Sequence, residues 1–438
     1  MRIEAIQNLS GGEKEKISWM LNNMKHNKTY KYLIKNNSKV SDLENLNLLK
    51  KRYFEYRQNW RNQPSEAIKL KKFDKNFKPL CIDLEVAAVC DLACPFCYRQ
   101  YIATPDKIMS LKLARQLIDQ ASELNVPSMK FNWRGEPLLN PKLPEIIDYA
   151  KEKGIIETII NTNATKLDKT YSEKLIKSGL DLLIYSFDGG TKESYEKMRP
   201  GRFKKNNFNE ILENIKNFKL MKEKLGSKFP RTKIQMVLTS DTRNEQDKFF
   251  KLFKDIVDEV SVKQYSERGG KISDVKDEIK RSLSDDYRYF LEKYGEKADM
   301  MTNSQGEVFI SEGRLPCEQP FQRMLITYDG RTSMCCYDWG TEHPIGYTDQ
   351  LAIKTGFKEY ESVKKKSDEK AKGFEMMKLA LPRKMNQPKE KIMTLSEIWY
   401  GEEINDIRNK HLCNKISSVG ICKNCVFKET YKWKKISK

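Results

Sequence analysis

Two hydrophobic rhythms run along this chain, and one gives way to the other near residue 80. Before that point Leu46, Leu49, Tyr53, Tyr56 and Trp60 recur at helical spacing. Residues 1–78 are therefore expected to form a charged helical extension with one packing face. The stretch RNQPSEAIKLKKFDKNFKP that closes it reads as a connector. From residue 81 strand and helix patterns alternate. In CIDLEV (81–86), Ile82, Leu84 and Val86 share one face, with Asp83 and Glu85 on the other. SLKLARQLIDQASELN follows as an amphipathic helix and SMKFNW as the next strand. IIETIIN, DLLIYSF, KIQMVLT and VDEVSVKQY continue the series. About six strand–helix units predict an α/β fold with a parallel sheet or partial barrel. In such folds the chemistry gathers at the C-terminal ends of the strands.

Composition narrows the picture. The 438 residues suffice for two or three domains. No run approaches the roughly 18 apolar residues of a membrane span. The opening MRIEAIQNLSGGEKEK has no apolar signal segment, so a cytoplasmic protein is expected. Ten cysteines in a reducing compartment point to metal binding or catalysis rather than disulfides. The net charge of +20 invites a nucleic-acid partner, but the lysines are scattered instead of forming one patch, which argues against it.

The most specific feature is VCDLACPFCYRQ, which spaces Cys90, Cys94 and Cys97 as C-x3-C-x2-C just after the first strand. Structural zinc requires a fourth ligand, and the chain has only three histidines. An iron–sulfur cube has four irons, so three cysteines leave one iron open to a small molecule. This loop, with Phe96 before its third cysteine, resembles that of the radical S-adenosylmethionine (radical SAM) superfamily. The resemblance implies a partial (β/α)6 barrel of the radical SAM type over residues 79–267. It also implies a [4Fe–4S] cluster that binds S-adenosyl-L-methionine at its open iron and generates a 5′-deoxyadenosyl radical. WRGEPLLNP resembles the family's G-G-E-P loop, with Gly135, Glu136 and Pro137 matching and Arg134 replacing the first glycine. The resemblance further implies Ser186 and Asp188 near the ribose and Arg199 near the carboxylate, all from YSFDGGTKESYEKMRPG. NTNATKL adds Asn161 and Asn163 as polar candidates.

Six cysteines follow residue 315. Cys317, Gly330, Cys335 and the CKNC pair Cys422 and Cys425 resemble the SPASM/twitch auxiliary domain. Tyr431 stands where the SPASM pattern has a further cysteine, which implies one auxiliary [4Fe–4S] cluster held by Cys317, Cys335, Cys422 and Cys425. Cys336 and Cys413 remain as spares and candidate hydrogen donors, with Cys413 an alternative to one of the four ligands, and Cys81 reads as buried filler. TLSEIWYGEEINDIRNKHL looks like the helix before the last cysteines of that family. Residues 268–314 read as a helical and loop connector, and 315–438 as a separate small C-terminal Fe–S domain. A lysine-rich insertion at about 350–391 interrupts it.

The resulting expectation is a radical SAM oxidoreductase acting on a small hydroxylated, sugar- or cyclitol-like substrate, with a flavodoxin or ferredoxin as reductant. Modification of a peptide or protein, by thioether formation, epimerisation or oxidation, is the alternative. A zinc-containing RNA-binding protein is the third.

Overall fold

A computed structural model describes residues 11–70, 77–239, 241–264, 300–302, 307–314, 316–341, 343–353, 357–370, 391–423, 425 and 431–436. Its strands are β1 (Cys81–Leu84), β2 (Ser128–Lys130), β3 (Glu157–Thr162), β4 (Leu182–Ser186), β5 (Arg231–Leu238) and β6 (Glu259–Gln264), followed by β7 (Met300–Thr302), β8 (Val308–Arg314), β9 (Arg323–Ile326), β10 (Arg331–Ser333), β11 (Pro344–Tyr347) and β12 (Tyr431–Ile436).

β1 to β6 pair in sequence order and in parallel, forming the open partial barrel that the alternating pattern predicts. Each crossover carries a helix whose apolar stripe enters a common core. Leu113, Leu117 and Ile118 of Leu111–Glu123, Ile146 and Ile147 of Leu143–Glu152, and Ile211 and Ile215 of Phe208–Lys224 pack there with Ile82, Met129, Ile160 and Ile234. The helix starts are set by caps: Ser110 accepts from the Leu113 N–H and Asp168 from the Tyr171 N–H.

The sheet does not stop at β1. β9 pairs parallel to β1, with Cys81 opposite Arg323 and Leu84 opposite Ile326, and β10 and β11 continue antiparallel to give nine strands. Gly330, at φ +91°, makes the turn between β9 and β10, a conformation that favours glycine. The C-terminal segment thus extends the barrel sheet instead of standing apart. Its Met334, Trp399, Ile404 and Val419 belong to the same core as Ile82 and Met129. Within the span expected to be helical and loop connector, residues 300–302 and 308–314 are strands: β8 is sandwiched between β7 and β12 in a second, antiparallel sheet. The apolar run Val308–Phe309–Ile310 pairs on one side with Met300–Thr302 and on the other with the distant Lys434–Ile436, a partner no local pattern announces. Residues 268–299 lie outside the described set.

The N-terminal extension is helical over Gly11–Asn23, Lys28–Asn36 and Asp42–Leu70. The last helix continues past Pro64 into the stretch read as a connector, because Gln63 and Ala67 gain buried contacts there. Gln63 donates to the Lys78 and Phe321 carbonyls. Ile17, Met20, Leu49, Tyr53 and Tyr56 pack with Leu80, Ile156 and Phe229, each of which lies just before a strand. The extension therefore covers the N-terminal edge of the sheet, opposite the motif loops. Among the described residues no helix is long and apolar enough to cross a membrane.

Candidate functional site

The motif loops all leave the C-terminal ends of β1 to β4, where the chain returns from each strand. Cys94 is buried, with Cys90 and Cys97 partly exposed, and none of the ten cysteines is in a disulfide. Their loop is tied down at several points. The Ala93 N–H donates to the Pro200 carbonyl, the Arg202 N–H donates to the Asp91 carbonyl, and Leu92 bridges Gly201. Asp91 accepts from Asn163 Nδ2 at 2.8 Å and from the Thr165 hydroxyl at 2.6 Å. The strand-four and strand-three motifs thus hold the cysteine loop directly.

Gly135 explains why one glycine of its motif is kept. A Cβ there would lie 2.3 Å from the Ala87 carbonyl oxygen and 2.4 Å from that of Val89, in the backbone leading to Cys90. Glu136 N–H also donates to the Val89 carbonyl at 2.8 Å. The Glu136 carboxylate is buried and accepts from Thr162 Oγ1, Asn163 N and Leu138 N. Burial nevertheless pushes it up to about 7, against the pull of these donors. Glu136 is thus a brace between two loops, and Pro137 beside it starts a short 3-10 turn. The turn after β3 places Ala164 at φ +63°, a strained value for a residue with a Cβ.

Arg134 is tolerated where the pattern has glycine because its side chain leaves toward the opposite wall. Its guanidinium is fully buried, pairs with both Glu85 oxygens at 2.7 and 2.8 Å, and donates to Tyr360 Oη at 2.7 Å. Glu85, at the end of β1, also accepts from the Tyr328 N–H.

Arg199 and Asp188 are brought together at 2.5 Å, both buried. Asp188 also accepts from the Val237 N–H at 2.6 Å. The Arg199 guanidinium lies 6.0 Å from the Phe96 ring. Burial pushes the Cys94 thiol up to about 12 despite the charge of Arg199 nearby. Burial, Cys94 and Glu136 push Cys90 up as well. Ser186 is half-exposed at the end of β4. Arg199 Nε beside the cysteine loop and Asn161 Oδ1 in the β3 motif are both buried without a hydrogen-bond partner. Three neighbouring thiols beside a buried guanidinium and unmet polar atoms fit a thiolate-bound cluster with a polar small molecule beside it.

The second cysteine set also gathers. Burial pushes the Cys317 thiol up, with Cys425 and Cys422 adding to it. Cys335 is pushed well up by burial, Cys336, Cys422, Asp338 and Cys317. Cys317 is thus a neighbour of Cys335, Cys422 and Cys425, and these four thiols are the donor type that an iron–sulfur cluster takes. Of the spares, Cys336 is half-buried, with its thiol 3.6 Å from Gln319 Oε1, and Cys413 is exposed at the end of Glu402–Leu412. Two histidines join the set that the sequence reading passed over. His411 Nδ1 accepts from the Cys317 N–H, and His343 Nε2 accepts from the Ile421 N–H, each at 3.1 Å. The signal was present: two of the three histidines in the chain lie near C-terminal cysteines.

An aromatic wall joins the two sets. Tyr98, next to Cys97, stands 6.3 Å from Trp339, which stands 6.0 Å from Trp133. Trp133 Nε1 donates to the Cys336 carbonyl at 3.1 Å.

Residues 84–253 match the Radical SAM superfamily. Among curated proteins, an Fe-coproporphyrin III synthase of Methanosarcina barkeri is 31% identical over 149 residues, 31% of this chain and 36% of that protein. A probable GTP 3′,8-cyclase of Methanococcus maripaludis is 33% identical over 119 residues, 27% of this chain and 39% of that protein. A PqqA peptide cyclase of Granulibacter bethesdensis is 32% identical over 122 residues, 27% of this chain and 32% of that protein. The matched stretch thus spans less than two fifths of the length of these relatives. Among solved structures, BtrN in complex with AdoMet and 2-DOIA covers 79% of this chain and 92% of its own at 15% identity and a TM-score of 0.42. Streptococcus suis SuiB bound to the precursor peptide SuiA covers 84% and 72% at 17% identity and a TM-score of 0.48.

Proposed function

From the match of residues 84–253 to the Radical SAM superfamily, we propose that this chain is a two-cluster oxidoreductase that removes a hydrogen atom from a small hydroxylated substrate and oxidises it. When bound, the first cluster with S-adenosyl-L-methionine supplies the hydrogen-abstracting radical, and an auxiliary [4Fe–4S] cluster supplies an acceptor for one electron. Cys90, Cys94 and Cys97 would hold the first, and Cys317, Cys335, Cys422 and Cys425 the second.

The observation that carries this reading is the wall of Tyr98, Trp339 and Trp133, which borders both cysteine sets. Oxidation needs a second redox group near the substrate, and a dry aromatic wall keeps water from an open radical. Asn163, Ser186, Asp188 and Arg199 would orient the cofactor, with Phe96 packing beside it. Gly135 lets the second loop approach the first closely enough for Glu136 to fix both. A small substrate is favoured because the N-terminal helices cover the far edge of the sheet, where they cannot present a peptide to the motif loops. The resemblance to a PqqA peptide cyclase supports peptide modification as a second reading. A low-potential flavodoxin or ferredoxin is the proposed reductant.

The test is a Cys90→Ala/Cys94→Ala/Cys97→Ala chain reconstituted without oxygen. It is expected to keep one cluster's worth of iron and sulfide and to lose 5′-deoxyadenosine formation. Undiminished 5′-deoxyadenosine would remove the assignment.

A further inference from the structure

We propose that His411 is a positioning residue for the auxiliary cluster, donating an N–H···S hydrogen bond to Cys422; this rests on the auxiliary-cluster reading above. The ring is buried and sits between two of the four cysteines. On one side Nδ1 accepts the Cys317 N–H at 3.1 Å. That bond uses the Nδ1 lone pair, so the neutral ring carries its proton on Nε2. On the other side Nε2 lies 3.6 Å from Cys422 Sγ, within reach of an N–H···S contact. The tautomer therefore follows from the backbone of one cysteine and is used by the sulfur of another.

The surroundings hold this arrangement from both ends. Helix Glu402–Leu412 carries His411 in its last turn and is pinned by buried Arg408, which donates to the Pro320 carbonyl at 3.0 Å and the Trp399 carbonyl at 2.7 Å. Pro320 is three residues from Cys317, so the ring and its acceptor contact are fixed to one short segment. The Cys422 side is fixed by His343, whose Nε2 accepts the Ile421 N–H, and a Cβ on Gly420 would lie 2.9 Å from that nitrogen. Hydrogen bonds to cluster sulfurs are a principal determinant of reduction potential, because they stabilise the more negative, reduced form. Loss of the Nε2 donor should therefore make the auxiliary cluster harder to reduce.

The experiment uses the full chain in the Cys90→Ala/Cys94→Ala/Cys97→Ala background, so that only the second cluster contributes. Iron and sulfide are counted first, and an EPR-monitored redox titration follows. His411→Asn keeps an acceptor near the Nδ1 position and removes the donor that reaches Cys422. It is expected to retain the cluster with its reduced-to-oxidised ratio at a fixed potential about tenfold lower, a shift of about 59 mV for one electron. His411→Gln, with an N–H at the longer reach, is expected to return most of that shift. If His411→Asn fails to load a cluster, His411→Gln must load one at near the unsubstituted potential for the proposal to stand. Unchanged potential in a loaded His411→Asn chain would reduce His411 to packing. A strongly coupled nitrogen in pulsed EPR of the unsubstituted ring would make His411 a ligand and overturn the proposal. Absence of any iron in the background chain itself would instead remove the auxiliary cluster, and the proposal with it.

Discussion

At the scale of single residues, the site is built from side chains whose partners are far away in sequence. Arg199 illustrates the consequence. Its guanidinium is committed to buried Asp188, so Arg199→Ala should do more than weaken cofactor binding. It strands a buried carboxylate, which typically costs about 3–5 kcal/mol. Denaturant unfolding of the purified chain should show a loss of that order, and Asp188→Asn in the same chain should recover much of it. A near-neutral Arg199→Ala would mean that solvent reaches Asp188 freely. Gly135→Ala should act differently, because the new Cβ collides with backbone rather than with a flexible side chain. Far-UV circular dichroism should stay unchanged while iron bound by the first cysteine set falls sharply. The cysteines, Gly135, Glu136 and Arg199 could all be singled out in the sequence because their motifs are local. Glu85 and Arg134 could not, since each shows only half of an ion pair until the fold brings them together.

At the scale of elements, the hydrophobic rhythm located β1 to β6 but not β9, which also runs parallel, and it misjudged what the polar positions do. In β1 the alternation suggests a wet face, yet every residue of the strand is buried. Asp83 meets Arg323 of β9 at 3.1 Å, a partner that no local pattern can announce. Glu157 at the start of β3 behaves in the same way, anchoring the N-terminal helices through Lys16 at 2.9 Å and Tyr56 Oη at 3.0 Å. Burial raises its pKa, but Lys16 and Arg57 outweigh burial and hold it below the usual 4.5. A carboxyl so depressed adds stability that is complete above about pH 4.5 and is lost as pH falls through its folded value. The chain should therefore lose more stability between pH 5 and pH 3 than a Glu157→Gln variant does. Parallel pH profiles of the two unfolding midpoints would refute this anchoring role.

At the scale of the molecule, the lysine-rich stretch is less separable than its composition suggests. Its helix Phe357–Lys370 buries Tyr360 against Arg134 and Tyr328, and Glu359 accepts from Tyr328 Oη at 2.9 Å. The melting temperature of a chain lacking 371–390, which lie outside the described residues, serves as the reference. A deletion that also takes Phe357–Lys370 should lower it clearly, because Arg134 loses a buried partner. Tyr360→Phe isolates the hydroxyl, which accepts from the charged Arg134, and is expected to cost about 2 kcal/mol. Equal melting temperatures for the two deletions would show that the helix contributes nothing.

The pairing of β1 with β9 has a consequence in time. Cys81 and Arg323, opposite each other in the sheet, are 323 − 81 = 242 residues apart. At roughly 5–20 residues per second of synthesis, β1 and the cysteine loop behind it leave the ribosome roughly 10–50 s before their neighbouring strand exists. During that interval one edge of β1 has no partner, and the Trp339 side of the aromatic wall has not been made. For that interval the first cysteine set stands without the wall that Trp339 later completes with Tyr98 and Trp133.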